Sequence, residues 1–446
     1  MLILRIFFLL LAIGITPTCF ATEPSYRIVV SAASGQNADW AKVVAALKEK
    51  HQAEVVSYAS DVSTALPALQ SQFPRYTCFV ATREEATREF VAQVHQLTRK
   101  YDSDPYTDTF WGILTGFDAA NALQIAQESK PLTITKAAAG TEIVLSGCRE
   151  GVWFCELKAG KVVRKGTGEE PKTETGPQDS TAGIVNALND FKPDLFVTSG
   201  HATERDWMLG FTYKNGFFKS SGGQLFGEDT KQKRLEIASP NPKVYLAIGN
   251  CLMGNIDGPD AMALAWMNDC GVRQMVGYTV PTWFGYGGWG LLDYFVEQPG
   301  RYTLTEAFFA NHHALIHSLE TKAGNLRGLQ FDRDVVAFYG DPAWVARFDA
   351  GPCSYAQTLT QRGGVYTLTI TPQRGADSFH PVNTNGAQRG WRPIVQFLPQ
   401  RITNAKILSG DQWKPLLTDD FLLIPNPREC DPQQKIVVEF SGQELK

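Results

Sequence analysis

Twice along this 446-residue chain, short runs rich in β-branched and aromatic residues alternate with longer stretches of helical character. No other feature restricts the fold as much. Residues 27–31, 54–57 and 77–81 read as strands, and 38–50, 62–72 and 83–100 between and after them read as helices. That order predicts βαβ units in a mostly parallel sheet flanked by helices. A polar loop over 101–108 interrupts the series, 152–163 has the form of a hairpin, and 166–179 reads as a polar, mobile loop. The second series starts with a helix over 182–190. Strands over 191–200 and 243–250 follow, then a helix over 259–269 and a strand over 272–278. A long helix over 303–319 and a strand over 335–339 close it.

After Pro352 the pattern changes to alternating runs without helical period, at 365–370, 394–398, 421–424 and 435–440. These predict a small β-sandwich of roughly immunoglobulin-like size. The expected organisation is a signal peptide over 1–21, an N-terminal α/β subdomain over 22–140, a caspase-like α/β domain over 141–350 and the sandwich over 351–446. Hydrophobic residues make up 43% and charged residues 20%, and the net charge of −4 is not gathered into runs. Such a chain carries no electrostatic footprint for nucleic acid or an anionic membrane.

The first segment has one arginine, a short apolar stretch, Pro17 and then Cys19-Phe20-Ala21, the form of a secretory signal peptide. The chain is therefore expected to be secreted or periplasmic. Anchoring through Cys19 is the weaker alternative, because Thr16-Pro17-Thr18 lacks the small and aliphatic pattern of a lipidation site. Seven cysteines remain beyond the signal, an odd number, so one thiol is left over if the rest pair. Cys148 with Cys155, around a turn at Gly151, and Cys353 with Cys430 are plausible bridges. Cys78, inside an apolar run, reads as a buried inert thiol.

Two of the predicted strands end alike. One finishes at Gly200 and delivers His201; the other passes Gly249 and delivers Cys251. In open parallel sheets ligands bind at the carboxyl ends of strands, where both residues fall. A thiol becomes an effective nucleophile near neutral pH when a base or positive charge stands beside it. Cys251 and His201 are the candidate catalytic pair. His312, His313 and His317 include an i,i+4 pair, but no glutamate stands between them as in zinc proteases, so a helix surface is the expected reading. No metal site and no cofactor are expected, for no phosphate loop, dinucleotide fingerprint or Gly-x-Ser-x-Gly elbow occurs.

Several segments in one order resemble the gingipain-like, caspase-fold cysteine peptidases. These are Thr107 to Asp118, Ser199-Gly200-His201-Ala202 to Trp207, Asn250-Cys251-Leu-Met-Gly254-Asn255, Thr279-Val-Pro-Thr-Trp283, and Phe338-Tyr-Gly340-Asp341-Pro342. The resemblance implies a cysteine endopeptidase acting on protein or peptide substrates, with zymogen cleavage in 166–179 as one expectation. It further implies an oxyanion site from the backbone N–H groups of Ala202 and Cys251, and substrate binding through Trp283 and Thr279. Three positions depart from the family. Ala202 replaces a usual glycine, Ala122 stands where the family has an acid assisting the histidine, and Ala126-Gln127 replaces a Gly-Arg pair. These departures motivate the alternative of a catalytically inactive, peptide- or surface-binding relative. Glu204, Asp206 and Asp257 are acids near the pair in sequence, with solvated loop charges as their ordinary reading.

Overall fold

The computed structural model describes residues 25–429 and 431–445. The signal segment, Cys19 and Cys430 therefore lie outside the described residues. β1 (Tyr26–Ser31) is followed by α1 (Ala32–Gln36) and α2 (Ala38–His51), then β2 (Glu54–Tyr58), α3 (Leu66–Gln72), β3 (Tyr76–Val80), α4 (Arg88–Leu97), β4 (Phe110–Leu114) and α5 (Ala119–Gln127). Ile28, Val29 and Val30 are buried, as are Cys78, Phe79 and Val80. Strands covered by helices on both faces read as continuous apolar runs, which is why this part was legible.

The chain continues through β5 (Leu132–Ile134), β6 (Lys136–Ala139), β7 (Glu150–Phe154), β8 (Lys161–Lys165), β9 (Lys172–Thr175), α6 (Thr181–Asn186) and β10 (Leu195–Gly200). A small antiparallel sheet follows, of β11 (Asp206–Met208), β12 (Phe217–Ser221), β13 (Gln224–Glu228) and β14 (Arg234–Glu236). Next come β15 (Lys243–Asn250), α7 (Met262–Asp269), β16 (Val272–Tyr278), α8 (Tyr286–Phe295), α9 (Leu304–Glu320), α10 (Leu326–Asp332), β17 (Val336–Gly340) and β18 (Ala346–Phe348). Thr303 and Glu306 form a reciprocal capping box that starts α9.

Twelve strands form one sheet in the order β2-β1-β3-β4-β17-β16-β15-β10-β6-β7-β8-β9. β2, β1, β3, β4 and β17 are mutually parallel, as are β16, β15, β10, β6 and β7. The two blocks meet antiparallel at β16 and β17. The carboxyl ends of the two blocks therefore open at opposite ends of the sheet, and β10 and β15 belong to the second block.

At the junction, Gly340 has φ +115°, and a Cβ there would stand 2.2 Å from the Arg273 carbonyl oxygen. Only glycine fits. The following Asp341 is buried and accepts from Tyr26 (2.9 Å), Lys50 (2.8 Å) and His51 (2.7 Å), fastening the β17 end to β1 and α2. Burial alone would raise its pKa, but the His51 hydrogen bond and the charges of Lys50 and His51 hold it well below the carboxylate range.

The C-terminal segment holds β19 (Tyr355–Arg362), β20 (Val365–Pro372), β21 (Ile394–Phe397), β22 (Ile402–Ser409), β23 (Leu416–Leu417), β24 (Phe421–Ile424) and β25 (Ile436–Glu444). Two antiparallel sheets, β19-β20-β25-β22 and β21-β24-β23, share one core around Tyr366, Leu368, Leu422 and Phe440. The strand number suits an immunoglobulin-like domain, but the order differs. Here the last strand joins the four-stranded sheet, whereas the constant-type domain puts it in the three-stranded one.

Three local expectations are corrected. Cys148 and Cys155 are free and buried. The stretch around Gly151 is the extended strand β7, not a turn. The five extended residues of β7, at roughly 3.3 Å each, lie between the two cysteines. The 166–179 loop contains β9, whose polarity reflects an exposed edge strand. His312 and His313 are not on a helix surface, because α9 is packed on nearly every side. Among the described residues no helix is long and apolar enough to cross a membrane.

Candidate active site

β10 and β15 run parallel with Ser199 opposite Gly249 and Gly200 opposite Asn250. The residues that follow the two strand ends are His201 and Cys251, so the pair leaves adjacent strands. Gly200 turns the chain with φ +108°. Asn250 Nδ2 donates to the Gly200 carbonyl oxygen at 3.0 Å, and Thr198 Oγ1 donates to Asn250 Oδ1 at 2.6 Å. Both sequence-derived catalytic candidates thus stand on rigid, buried supports.

After Cys251 the chain reverses tightly. Leu252 has φ +60° and its N–H donates to the Val280 carbonyl oxygen at 3.2 Å, while the Gly254 N–H donates to Tyr278 at 2.8 Å. A Cβ on Gly254 would lie 2.3 Å from the Gly277 carbonyl oxygen, so backbone approaches backbone there. The acids near the pair in sequence are engaged. Asn255 Nδ2 donates to Glu204 at 3.1 Å, and Arg205 Nη2 reaches both Asp257 oxygens at 3.0 and 2.9 Å. Two side-chain links thus tie the loop after His201 to the loop after Cys251. Asp206 accepts from its own-loop Thr203 at 3.4 Å.

Cys251 is half-buried, with Sγ 3.6 Å from the Thr282 carbonyl oxygen. His201 is exposed and its ring stacks on Phe211 at 4.6 Å between centroids. Among the described residues the N–H groups of Ala202 and Cys251 have no backbone acceptor. N–H donors left free at such a place are what stabilisation of an oxyanion would need. Ala122 is fully buried in α5, so no acid reaches His201 from that position.

Beside the strand ends lies a pocket of about 300 Å³, walled by Phe211, Thr282, Trp283, Trp289 and Asn385, with Glu156 among its lining. Trp283 is 54% exposed, so it is a pocket wall and not a core aromatic. Thr279 does not reach the pocket. It is buried, and its hydroxyl donates to the Val335 carbonyl oxygen at 3.0 Å. Glu156 is 5% exposed; its Oε1 accepts from Thr141 at 2.6 Å and Ser199 at 3.3 Å. Its Oε2 is buried without a hydrogen-bond partner. A buried carboxylate oxygen lacking a donor is costly unless something supplies one. The sequence reading missed Glu156, which only the bend after β7 brings under Ser199. It also missed Asn385, which comes from the far end of the chain.

Elsewhere, Asp102, Asp104 and Asp108 bring their oxygens within 4.8 Å of one another in the loop before β4. Each accepts a backbone N–H of that loop, at 2.8, 2.8 and 2.9 Å respectively. Burial and the neighbouring carboxylate of Asp102 push Asp108 up to about 9. His95, His312 and His313 are buried, and desolvation drives His95 down to about 4 and His313 to about 3, so they are neutral packing groups. Cys78 is inert for the same reason, its thiol pushed up by burial.

No family model matches the chain, and no curated protein matches it. Among solved structures, the Arg specific cysteine proteinase gingipain R matches at 10% identity and TM-score 0.50, over 96% of this chain and 99% of that one. A complex of the RgpB pro- and mature domains of Porphyromonas gingivalis matches at 9% identity and TM-score 0.48, over 95% and 100%. With its large, mostly parallel mixed sheet, its flanking helices and its separate antiparallel sheets, the chain has the fold of the gingipain cysteine proteinases.

Proposed function

We propose that this chain is an exported cysteine endopeptidase that cleaves after a cationic side chain. The observation that supports the reading is the pairing of the β10 and β15 ends, Gly200 opposite Asn250, so that the residues that follow, His201 and Cys251, leave adjacent strands beside a pocket lined by Ser199, Gly200 and Gly249. His201 takes the thiol proton as Cys251 Sγ attacks the scissile carbonyl carbon. The oxyanion is held by the N–H groups of Ala202 and Cys251, each donor contributing about 3–4 kcal/mol in well-studied hydrolases. Protonated His201 then delivers its proton to the leaving amine, and water, activated by the same imidazole, releases the acyl group. Aromatic walls suit an apolar stem, and Glu156 is the acidic group of the pocket, so a positively charged tip fits best. The solved neighbour is named as Arg specific. The apolar, arginine-bearing N-terminal segment supports export.

A second reading is a peptide-binding relative without catalysis. The His201 ring stacked on Phe211, and alanine rather than an acid at 122, favour it. Wild type and Cys251→Ala are incubated with a mixed peptide library. Cleavage by wild type alone, lost or reduced roughly 100-fold for cationic P1 residues in Glu156→Gln, is the expected result. Equal cleavage by wild type and Cys251→Ala, or none by either, sinks the peptidase reading.

A further inference from the structure

One wall of the pocket does not come from the α/β part of the molecule. Asn385, Gly386 and Ala387 belong to the connection leading into β21, inside the C-terminal segment. From these contacts we infer that this connection is a specificity-determining part of the substrate pocket, with Asn385 as its selecting residue. The inference rests on the peptidase reading and deepens it.

The loop is fixed from behind. Arg389, 2% exposed, pairs with Asp293 at 2.7 Å and with Glu297, both on or just after α8, and its Nη1 donates to the Asn385 carbonyl oxygen at 2.9 Å. The Gly390 N–H donates to the second Asp293 oxygen at 2.8 Å. A buried guanidinium shared by two carboxylates and a carbonyl holds its loop in one geometry.

The loop is also fixed in front. Gly386 has φ +98°, and a Cβ on it would come within 2.3 Å of the Trp289 indole. Another close neighbour of that indole is Gly249, where a Cβ would meet Trp289 Nε1 at 2.8 Å. Trp289 is thus held between the C-terminal loop and the strand that delivers Cys251.

From this platform Asn385 Nδ2 reaches 3.4 Å from Thr141 Oγ1 and 3.5 Å from Glu156 Oε1. Oε1 already accepts from Thr141 and Ser199, whereas Oε2 has no donor and is enclosed by protein, so a ligand pairs with it by displacing what covers it. A guanidinium binds best when both carboxylate oxygens face its fork, whereas an ammonium needs one. Asn385 Nδ2 adds a further donor beside Oε1, which disfavours two-oxygen pairing with a guanidinium, and on that ground Asn385 selects lysine over arginine at P1.

The test measures kcat and KM on matched peptides with lysine or arginine at P1 for wild type, Asn385→Ala and Asn385→Gln, with thermal melts confirming folding. Wild type should prefer lysine. Asn385→Ala should move the lysine-to-arginine ratio toward arginine roughly tenfold, through KM, and Asn385→Gln should move it the other way. In parallel, Nα-acetyl-lysine methylamide and Nα-acetyl-arginine methylamide are titrated calorimetrically into Cys251→Ala protein, with and without Asn385→Ala. If peptides are cleaved with an unchanged ratio in both variants, the inference falls and the peptidase reading stands. If nothing is cleaved, the peptidase reading falls and the titration decides. A shifted affinity ratio keeps Asn385 as the selecting residue; an unshifted ratio, or no binding of either probe, overturns it.

Discussion

Asn250 donates its side-chain amide to the carbonyl oxygen of Gly200 at 3.0 Å, joining the residue before Cys251 to the residue before His201. The β10–β15 ladder shifts register between Thr198 and Ser199, so the strands alone do not lock their ends. The amide does, braced by Thr198 Oγ1, which also lies 2.9 Å from Tyr245 OH.

Asn250→Ala should leave the buried Gly200 carbonyl oxygen without its Asn250 donor and Thr198 Oγ1 with Tyr245 OH alone, at a cost of about 1–3 kcal/mol. The expected variant is folded, with a lower melting temperature and slower peptide cleavage. Normal stability together with full activity would show that Asn250 does not position the pair.

Cys251 should be the fast thiol. Cys78, Cys148, Cys155 and Cys270 are buried, and Cys353 is half-buried with its thiol pushed up by burial. Iodoacetamide at neutral pH is expected to modify Cys251 first, and His201→Ala should slow that step roughly tenfold or more. Cys353 serves as the internal reference, its rate unchanged between the two proteins. Peptide mapping of partially alkylated protein reads both sites at once.

Asp341→Asn should cost about 3–5 kcal/mol at pH 7, because Lys50 and His51 lose their buried partner. The folded pKa of Asp341 is depressed. Its contribution is therefore present above the unfolded value near 4 and lost as pH falls below it. Urea unfolding at pH 7 and pH 3 checks both halves, since the gap between wild type and variant should narrow at the lower pH.

Asp108→Asn should do the opposite. The folded pKa is raised to about 9, so this buried carboxyl contributes fully at low pH and loses stability as pH rises from about 4 toward 9. The asparagine has no proton to lose. Relative to wild type it should gain about 1.4 kcal/mol per pH unit in that window. Melting curves from pH 5 to pH 8 measure this, and a gap independent of pH would contradict it.

Much of this was legible where one physical demand dominates. Phe196 and Val197, like Leu246 and Ile248, are buried, and such runs announce themselves as strands covered on both faces. Val365 to Ile370 alternates because only one side of β20 meets the sandwich core. The position of His201 and Cys251 after two strand ends was legible because each follows an apolar run marked by glycine. The hidden features depend on contacts distant in sequence. Glu156 reads as an ordinary charge until Thr141 and Ser199 are placed beside it. Cys148 and Cys155 suggest a turn-closing bridge until the chain between them is seen to be extended. The sheet of β11 to β14 has short strands with few wholly apolar runs, and its existence follows from packing on α6 and α7.

The antiparallel seam at β16 and β17 bears on biosynthesis. β4 is complete early in translation, yet its outer neighbour is β17, with Ile113 paired to Tyr339. Until β17 is made, β4 carries an open backbone edge in addition to the β2 edge that stays open in the finished sheet, and such an edge is a template for stray association. The wait ends when Gly340 and Asp341 emerge and Asp341 can reach Tyr26, Lys50 and His51. That late latch makes the completion of the N-terminal block one of the last events in the maturation of the α/β part.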